Sequence, residues 1–179
     1  MKSAVASAAK PKAQAKTLFA DHRAPVQIRA QRIGEPGAPL EISAPEMVKD
    51  FWNNVVTKTD WYDPEKEAMI VLSLSKKLEL KAWHLVSVGT QDECICHPRD
   101  VFRPAILAAA NRIIMVHNHP SGNPSPSRLD IELTRNIHEN ARMLRIPLYD
   151  HVVVAGDTCY SLRWFFENSP DIRQLKWVV

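Results

Sequence analysis

The sequence predicts an α/β fold in which helices sandwich a mixed β-sheet. Short apolar runs of strand length alternate with amphipathic segments of helical period, in the order α-β-β-α-β-α-β-β. The 179 residues are 45% hydrophobic, which is enough for one domain with a proper core and too little for two large ones. One domain preceded by a tail is therefore the expected organisation.

The first half of the predicted domain contains one helix and two strands. Residues 43–46 combine a capping serine, an early proline and an early acid, as at the start of a helix. The predicted apolar face of this helix consists of Met47, Phe51, Trp52, Val55 and Val56. Residues 67–74 form an apolar run typical of a buried strand, and the loosely alternating residues 78–88 indicate an antiparallel partner strand.

The second half of the predicted domain alternates helices and strands. Pro98 suits the first turn of a helix, and an apolar strand is predicted at 113–116. The apolar stripe of that helix consists of Val101, Phe102, Ala105, Ile106 and Ala109. A long helix begins near Ser127, and two strands are predicted at 151–154 and 159–162. The apolar positions of the long helix are Leu129, Leu133, Ile137, Ala141 and Leu144.

The charge of the chain is concentrated in its tail. Residues 1–33 hold seven Lys/Arg and one acidic residue, which leaves 16 basic and 19 acidic residues in the rest. We interpret residues 1–42 as a disordered basic arm and residues 43–179 as the folded domain. The arm could contact nucleic acid or acidic partners, although a solvated tail without a specific role is the simpler interpretation.

The composition favours a soluble cytoplasmic protein with reduced cysteines. No segment approaches the roughly 18 apolar residues of a membrane span, and the Ala-rich start lacks the apolar core of an export signal. No membrane partner is therefore expected. Cys94-x-Cys96-His97 has no downstream pair at zinc-finger spacing, and Cys159 is isolated in sequence.

A cluster of metal-ligating residue types follows the strand at 113–116. On that strand His117 and His119 project to the same side, because side chains of a strand alternate between its faces. Asp130 lies in the first turn of the helix that begins near Ser127. Two imidazoles and one carboxylate leave a fourth position for water, which is the arrangement of catalytic zinc. Ser127-x-x-Asp130 also matches a capping box, and that interpretation is compatible with metal binding.

The same residues resemble a known family. His117-x-His119, seven residues, Ser127, two residues and Asp130 form the full pattern of the JAMM (MPN-plus) metallopeptidases, and residues 117–127 resemble the RadC-like bacterial branch. Further similar segments are residues 97–102, 108–114 and 150–154, so that the resemblance covers about residues 43–162. It implies the JAB/MPN, cytidine-deaminase-like architecture. RadC proteins as usually drawn also carry a helix-hairpin-helix region, whose pattern the basic arm does not show.

The resemblance implies a role for each site residue. His117, His119 and Asp130 would hold one Zn²⁺ per chain, although iron or manganese could also occupy such a site. Zinc would lower the pKa of its water, and because its imidazole ligands must be neutral, activity should fall in acid. Glu67 would be the general base, with Glu65 as the alternative, and the Ser127 hydroxyl would donate to the oxyanion. Arg99 and His151 could orient ligands, but core or surface roles fit them equally well.

Three classes of function follow from these patterns. The first is a zinc-dependent metallopeptidase, or isopeptidase-like hydrolase, acting on a peptide or an isopeptide-linked protein. The second is a DNA-repair or mobile-element accessory protein of RadC type, which would bind nucleic acid through the basic arm. The third is a non-catalytic MPN interaction module, and the intact set of ligand residues argues against it.

Overall fold

A five-stranded mixed sheet forms the centre of the fold. The computed structural model describes residues 37–90 and 96–168. Its strands are β1 Ala68–Leu74, β2 Leu80–Val88, β3 Arg112–Asn118, β4 Leu148–Ala155 and β5 Thr158–Ser161. They lie in the order β2-β1-β3-β4-β5, and only the pair β3 and β4 is parallel. The predicted fold class, a mixed sheet flanked by helices, is confirmed.

Four helices and a short 3-10 turn cover the sheet. They are α1 Pro45–Asn54, the 3-10 turn Val56–Lys58, α2 Pro98–Leu107, α3 Arg128–Leu144 and α4 Leu162–Asn168. Among the helices of the described ranges, none is both long and apolar enough to cross a membrane. The interpretation of residues 1–36 as a basic arm, and the position of Cys94, lie outside the described residues.

The three inner strands, β1, β3 and β4, are buried on both faces, which explains their continuous apolar runs. On one face the residues that pack with α1 are Ala68, Ile70, Leu72, Leu74, Ile114, Val116, Val152 and Val154. On the opposite face the residues that pack with α2 and α3 are Met69, Val71, Ile113, Met115 and Leu148. Because side chains alternate along β3, His117 lies on the same face as Met115 and therefore beneath α3.

Several predicted core positions are wrong. In α1, Val48 is buried, whereas Met47 and Val55 are exposed. Leu129 and Leu144, in the first and last turns of α3, are 56% and 45% exposed. The stripe predicted on α2 is too long: Ile106 is 54% exposed, and Ala109 follows the end of the helix with a φ of +48°.

The alternation predicted for residues 78–88 does not describe β2. Irregular pairing with β1 between Met69 and Ile70, and again between Ser73 and Leu74, shifts the face that each residue presents. Leu80 and Trp83, three residues apart, consequently both pack with the α1 side of the sheet, whereas Val86 packs with the α2 side. Leu78 belongs to the turn before β2 and has a φ of +63°.

The segment before α1 is paired with the β1–β2 hairpin. The Ile42 N–H donates to the Leu78 carbonyl at 2.8 Å, and the Leu80 N–H donates to the Leu40 carbonyl at 2.7 Å. Ile42 is fully buried. Ordered pairing therefore begins ahead of residue 43.

A buried carboxyl group fastens β5 and the start of α4 to β4. Asp150 Oδ2 accepts from the Ser161 hydroxyl at 2.7 Å, and its Oδ1 accepts from the backbone N–H of Arg163 at 3.0 Å and from that of His151 at 2.7 Å. Burial raises the pKa of Asp150 to about 6, although these hydrogen bonds act in the opposite direction. Asp150 thus joins β4, β5 and α4 at the cost of burying a carboxyl group.

Asp150→Asn is expected to remove a pH dependence of stability. The folded protein keeps the Asp150 proton up to about pH 6, whereas an unfolded chain loses it near the ordinary pKa of 3.8. This group's contribution to the free energy of unfolding is therefore largest below pH 4, and about 3 kcal/mol of it is lost between pH 4 and 6. Urea unfolding of both proteins at about pH 4 and 7 measures the effect. If wild type and Asp150→Asn differed in unfolding free energy by the same amount at about pH 4 and 7, the raised pKa of Asp150 would be contradicted.

Candidate metal centre

The two histidines and Asp130 meet where β3 ends and α3 begins. His117 lies in β3 and His119 directly follows it, and their Nε2 atoms are 3.0 Å apart. Asp130 Oδ1 lies 3.1 Å from His117 Nε2, and Asp130 Oδ2 lies 3.4 Å from His119 Nε2. The fold therefore gathers these three side chains from two elements.

The spacing of the three side chains suits a metal ion. Each offers one ligand atom, and the three atoms lie within 4.8 Å of one another. A tetrahedral zinc ion with bonds of about 2.0–2.1 Å requires neighbouring ligand atoms about 3.3 Å apart. The two Nε2 atoms are 3.0 Å apart and Asp130 Oδ1 lies 3.1 Å from His117 Nε2, both close to that value, whereas the 3.4 Å separation from His119 Nε2 is that of the other carboxylate oxygen, Oδ2. The group can thus hold a metal ion without rearrangement of its backbone.

Asp130 is held by the first turn of its own helix. The Ser127 hydroxyl accepts from the Asp130 N–H at 3.1 Å, and Asp130 Oδ2 accepts from both the N–H and the hydroxyl of Ser127 at 2.7 Å. The capping box is therefore formed, and Oδ1 faces His117. Burial alone would raise the pKa of Asp130, but hydrogen bonds with His117, His119 and Ser127 hold it far below its usual range. An ionised carboxylate is the form that a metal requires.

His119 is oriented by the loop that follows it. The backbone N–H of His119 donates to the Val154 carbonyl at 2.9 Å, which extends the β3–β4 pairing by one residue. Its Nδ1 lies 2.8 Å from the Asn123 carbonyl, an acceptor only, so Nδ1 carries hydrogen and Nε2 points into the site. Gly122, with a φ of +78°, lets the loop turn back to bring this carbonyl close. The hydrogen bond with Asp130 raises the pKa of His119, against the effect of burial.

Glu67, the residue directly before β1, reaches the same group. Met69 pairs with His117 in the antiparallel ladder of β1 and β3. Glu67 is two residues before Met69 and His119 is two residues after His117, so the two lie opposite each other. The Glu67 Oε1 atom is 4.0 Å from His119 Nε2, and its side chain is 13% exposed. Glu65, the alternative, is exposed, and its N–H donates to the Asp63 carboxylate.

Sequence reasoning missed Asn118, the residue between the two histidines. Its buried side chain points to the opposite face and contacts the backbone on both sides of Glu67. Oδ1 accepts from the Ala68 N–H at 2.8 Å, and Nδ2 donates to the Lys66 carbonyl at 2.9 Å. On the other side, the Glu67 N–H donates to the Thr90 carbonyl at 2.9 Å. The position of Glu67 is therefore fixed by its neighbours' backbone groups.

A second buried group was only partly foreseen. His151 was a candidate for orienting ligands, and its Nε2 lies 2.9 Å from His117 Nδ1. Thr134, which sequence reasoning did not single out, lies 2.7 Å from His151 Nδ1. Burial, and then the charge of His117, lower the pKa of His151 to about 3, so it is neutral. Arg99, the other candidate, is 77% exposed and pairs with Asp100 of its own helix.

The fold and the site together define a JAB-type α/β domain with a candidate metal-binding group. The chain belongs to the RadC-like JAB domain family, whose model matches residues 42–166. The resemblance drawn from the sequence is confirmed at this level, and the family accounts for the mixed sheet with a His/His/Asp group at the end of β3.

Curated relatives of the chain include bacterial and archaeal UPF0758 proteins. The chain is 38% identical over 129 residues to one from Picosynechococcus sp., covering 72% of the chain and 51% of the relative. It is 41% identical over 101 residues to one from Methanosarcina acetivorans, covering 56% and 44%. It is 42% identical over 99 residues to one from Thermotoga maritima, covering 55% and 45%. The chain thus spans about half, or less, of the length of these relatives.

Asn118→Ala is expected to destabilise the fold. The variant leaves the Ala68 N–H and the Lys66 carbonyl without their side-chain partner, and each lost hydrogen bond costs about 0.5–1.5 kcal/mol. The free energy of unfolding, measured with urea, should fall by about 1–3 kcal/mol. Asn136→Ala, on the exposed face of α3, should change it by less than about 0.5 kcal/mol. Equal losses of unfolding free energy in Asn118→Ala and Asn136→Ala would contradict the stabilising role of the two Asn118 hydrogen bonds.

Proposed function

We propose that this domain is a zinc-dependent metallopeptidase or isopeptidase that hydrolyses an amide bond. The observation that carries the proposal is the approach of Glu67, to 4.0 Å from His119 Nε2, beside three ligand atoms that lie within 4.8 Å of one another. A group that only bound metal would not require a carboxylate held beside it. Membership of the RadC-like JAB domain family supports the proposal.

The ligands would be Nε2 of His117, Nε2 of His119 and Oδ1 of Asp130. When bound, zinc lowers the pKa of a water ligand from about 15.7 to about 7 and polarises a carbonyl group. The protein's own contribution is to hold two imidazoles and one ionised carboxylate close together. A fourth position is left for water or substrate.

Glu67 is the residue that would move the proton. Its carboxylate is held beside the ligands by the paired backbone of residues 66–68, so it can accept a proton from the attacking water. The same carboxyl group can then pass that proton to the amine that leaves when the amide bond breaks. The exposed Glu65 has no such position.

Ser127 would support the developing oxyanion only after a change of hydrogen bond. Its single hydroxyl hydrogen is donated to Asp130 Oδ2 in this structure. The Ser127 N–H also donates to Oδ2 and keeps Asp130 in place if the hydroxyl turns away. Rotation of this hydroxyl toward substrate would therefore not release the ligand carboxylate.

The exposure of the side chains supports a substrate that approaches from one side. His117 is 1% exposed, whereas the side chains of His119, Asp130 and Glu67 are 11–13% exposed. The closed side faces the sheet and α3. A peptide or an isopeptide-linked tail would therefore reach the site across His119 and Glu67.

Metal content and peptide cleavage test this proposal together. Elemental analysis should find about one zinc per chain in wild type and in Glu67→Gln, and none in the double variant His117→Ala/His119→Ala. In a screen of peptide and isopeptide substrates, Glu67→Gln should lower the rate by about 10²- to 10⁴-fold, because a general acid–base group is lost.

Glu65→Gln is the matched variant for that experiment. It changes a neighbouring exposed carboxylate and should leave the rate near that of wild type. A loss of activity in Glu65→Gln but not in Glu67→Gln would overturn the assignment of the base. A wild-type protein that takes up no metal when zinc is supplied would overturn the hydrolase proposal and favour a non-catalytic interaction module. Iron or manganese in place of zinc would correct the identity of the metal.

The charge of the first 33 residues favours a second candidate, an accessory protein of RadC type that binds nucleic acid. Seven basic residues and one acid give this segment a net charge of +6. DNA affinity of the full chain should fall steeply between about 50 and 200 mM salt, and should be lost when residues 1–33 are deleted. Fluorescence anisotropy measures both effects. Equal affinity of the two chains would contradict a role of the arm.

A further inference from the structure

A chain of hydrogen bonds connects His117 to α3 through two buried side chains. His117 Nδ1 lies 2.9 Å from His151 Nε2, and His151 Nδ1 lies 2.7 Å from Thr134 Oγ1. The Thr134 hydroxyl in turn lies 2.5 Å from the backbone carbonyl oxygen of Asp130. Thr134 and His151 are fully buried, and His117 is 1% exposed, so each polar atom of this chain depends on its neighbours for a partner.

We infer that Thr134 and His151 are positioning residues that hold the His117 ring with hydrogen on Nδ1 and a free electron pair on Nε2. The inference rests on the proposed metal site, because that electron pair is what a histidine must offer to a metal. Thr134 and His151 would touch neither the metal nor the substrate. They would act through His117.

The backbone carbonyl of Asp130 sets the direction of the hydrogen bonds from α3 to His117. A carbonyl oxygen only accepts, and Thr134 has one hydroxyl hydrogen to give. If that hydrogen pointed to His151, two oxygen atoms 2.5 Å apart would face each other with no hydrogen between them. The hydroxyl therefore donates to the carbonyl, and its oxygen is left as an acceptor toward His151.

The directions of the two remaining hydrogen bonds follow from that of the Thr134 hydroxyl. His151 must donate from Nδ1 to Thr134, and because the ring is fully buried, where a charged form is disfavoured, its Nε2 is bare. That bare nitrogen accepts from His117, so His117 carries hydrogen on Nδ1. In a neutral His117 ring, hydrogen on Nδ1 leaves on Nε2 the electron pair that a metal ligand must present.

The two histidine ligands thus reach the same state by different routes. His119 Nδ1 donates directly to the Asn123 carbonyl of the loop. His117 lies beneath α3, and its connection to a backbone carbonyl passes through His151 and Thr134. The carbonyl that ends this route belongs to Asp130, the third ligand.

The form of His151 can be observed without metal. Long-range ¹H–¹⁵N correlation spectra of the full chain, with ¹⁵N-labelled histidine, distinguish a ring with hydrogen on Nδ1 from one with hydrogen on Nε2. His151→Phe identifies the signal. In metal-free wild type near neutral pH, hydrogen on Nδ1 and a bare Nε2 are expected for His151. Hydrogen on Nε2 of His151, in a neutral or a charged ring, would overturn the inference.

Zinc affinity supplies the second measurement. Thr134→Val keeps the size of the side chain but gives His151 Nδ1 no acceptor, and we expect zinc to bind about 10- to 100-fold more weakly in competition with a chelator. Thr134→Ser keeps the hydroxyl and should bind zinc nearly as tightly as wild type. Equal affinity of wild type and Thr134→Val would overturn the inference.

The two measurements separate the inference from the proposed function. If wild type binds no zinc, the proposed metal site fails, and the spectra still decide whether His151 has the stated form. If wild type binds zinc and His151 carries hydrogen on Nε2, the positioning role fails and the metal site stands. Should Thr134→Val not fold, the spectra of the wild-type chain and zinc binding by Thr134→Ser remain informative: zinc binding far below wild type in Thr134→Ser would count against the role of the hydroxyl.

Discussion

The candidate site depends on the register between β1 and β3. Met69 pairs with His117, and this pairing alone determines that Glu67 lies opposite His119. A slip by one residue would turn Glu67 to the other face of the sheet, because side chains alternate along a strand. Asn118 prevents such a slip at the end of the ladder, since it binds the backbone before and after Glu67. Sheet pairing and site geometry are therefore one constraint.

The start of α3 likewise serves both the fold and the candidate site. The capping box that begins the helix also orients the carboxylate of Asp130 toward the histidines. Helix formation thus fixes the Asp130 carboxylate before any metal is present, so metal binding would lose little entropy in ordering that side chain. The loop from His119 to Ser127 has a comparable double role, because its turn at Gly122 supplies the carbonyl that orients His119.

The sequence predicts the parts of this fold whose signals are local. The apolar run before His117 marks a strand buried on both faces, and Ser127-x-x-Asp130 marks a helix start. The role of Glu67 came only from the family resemblance, since nothing local reveals the register that places it. The faces of β2 were not predictable, because two irregularities in its pairing reverse the alternation. The contact of Thr134 with His151 joins α3 to β4, and residue spacing carries no information about such a contact.

Asp130 takes part in three sets of contacts at once. Its carboxylate faces His117, its backbone N–H completes the helix cap, and its backbone carbonyl receives the Thr134 hydroxyl. Substitutions at Ser127, Thr134 and Asp130 therefore act on one shared residue, and their energetic effects should not add. In such a cluster the first substitution removes most of what the later ones could remove. Variation at these positions is consequently constrained as a unit, so that a tolerated change at one would depend on which residues occupy the other two.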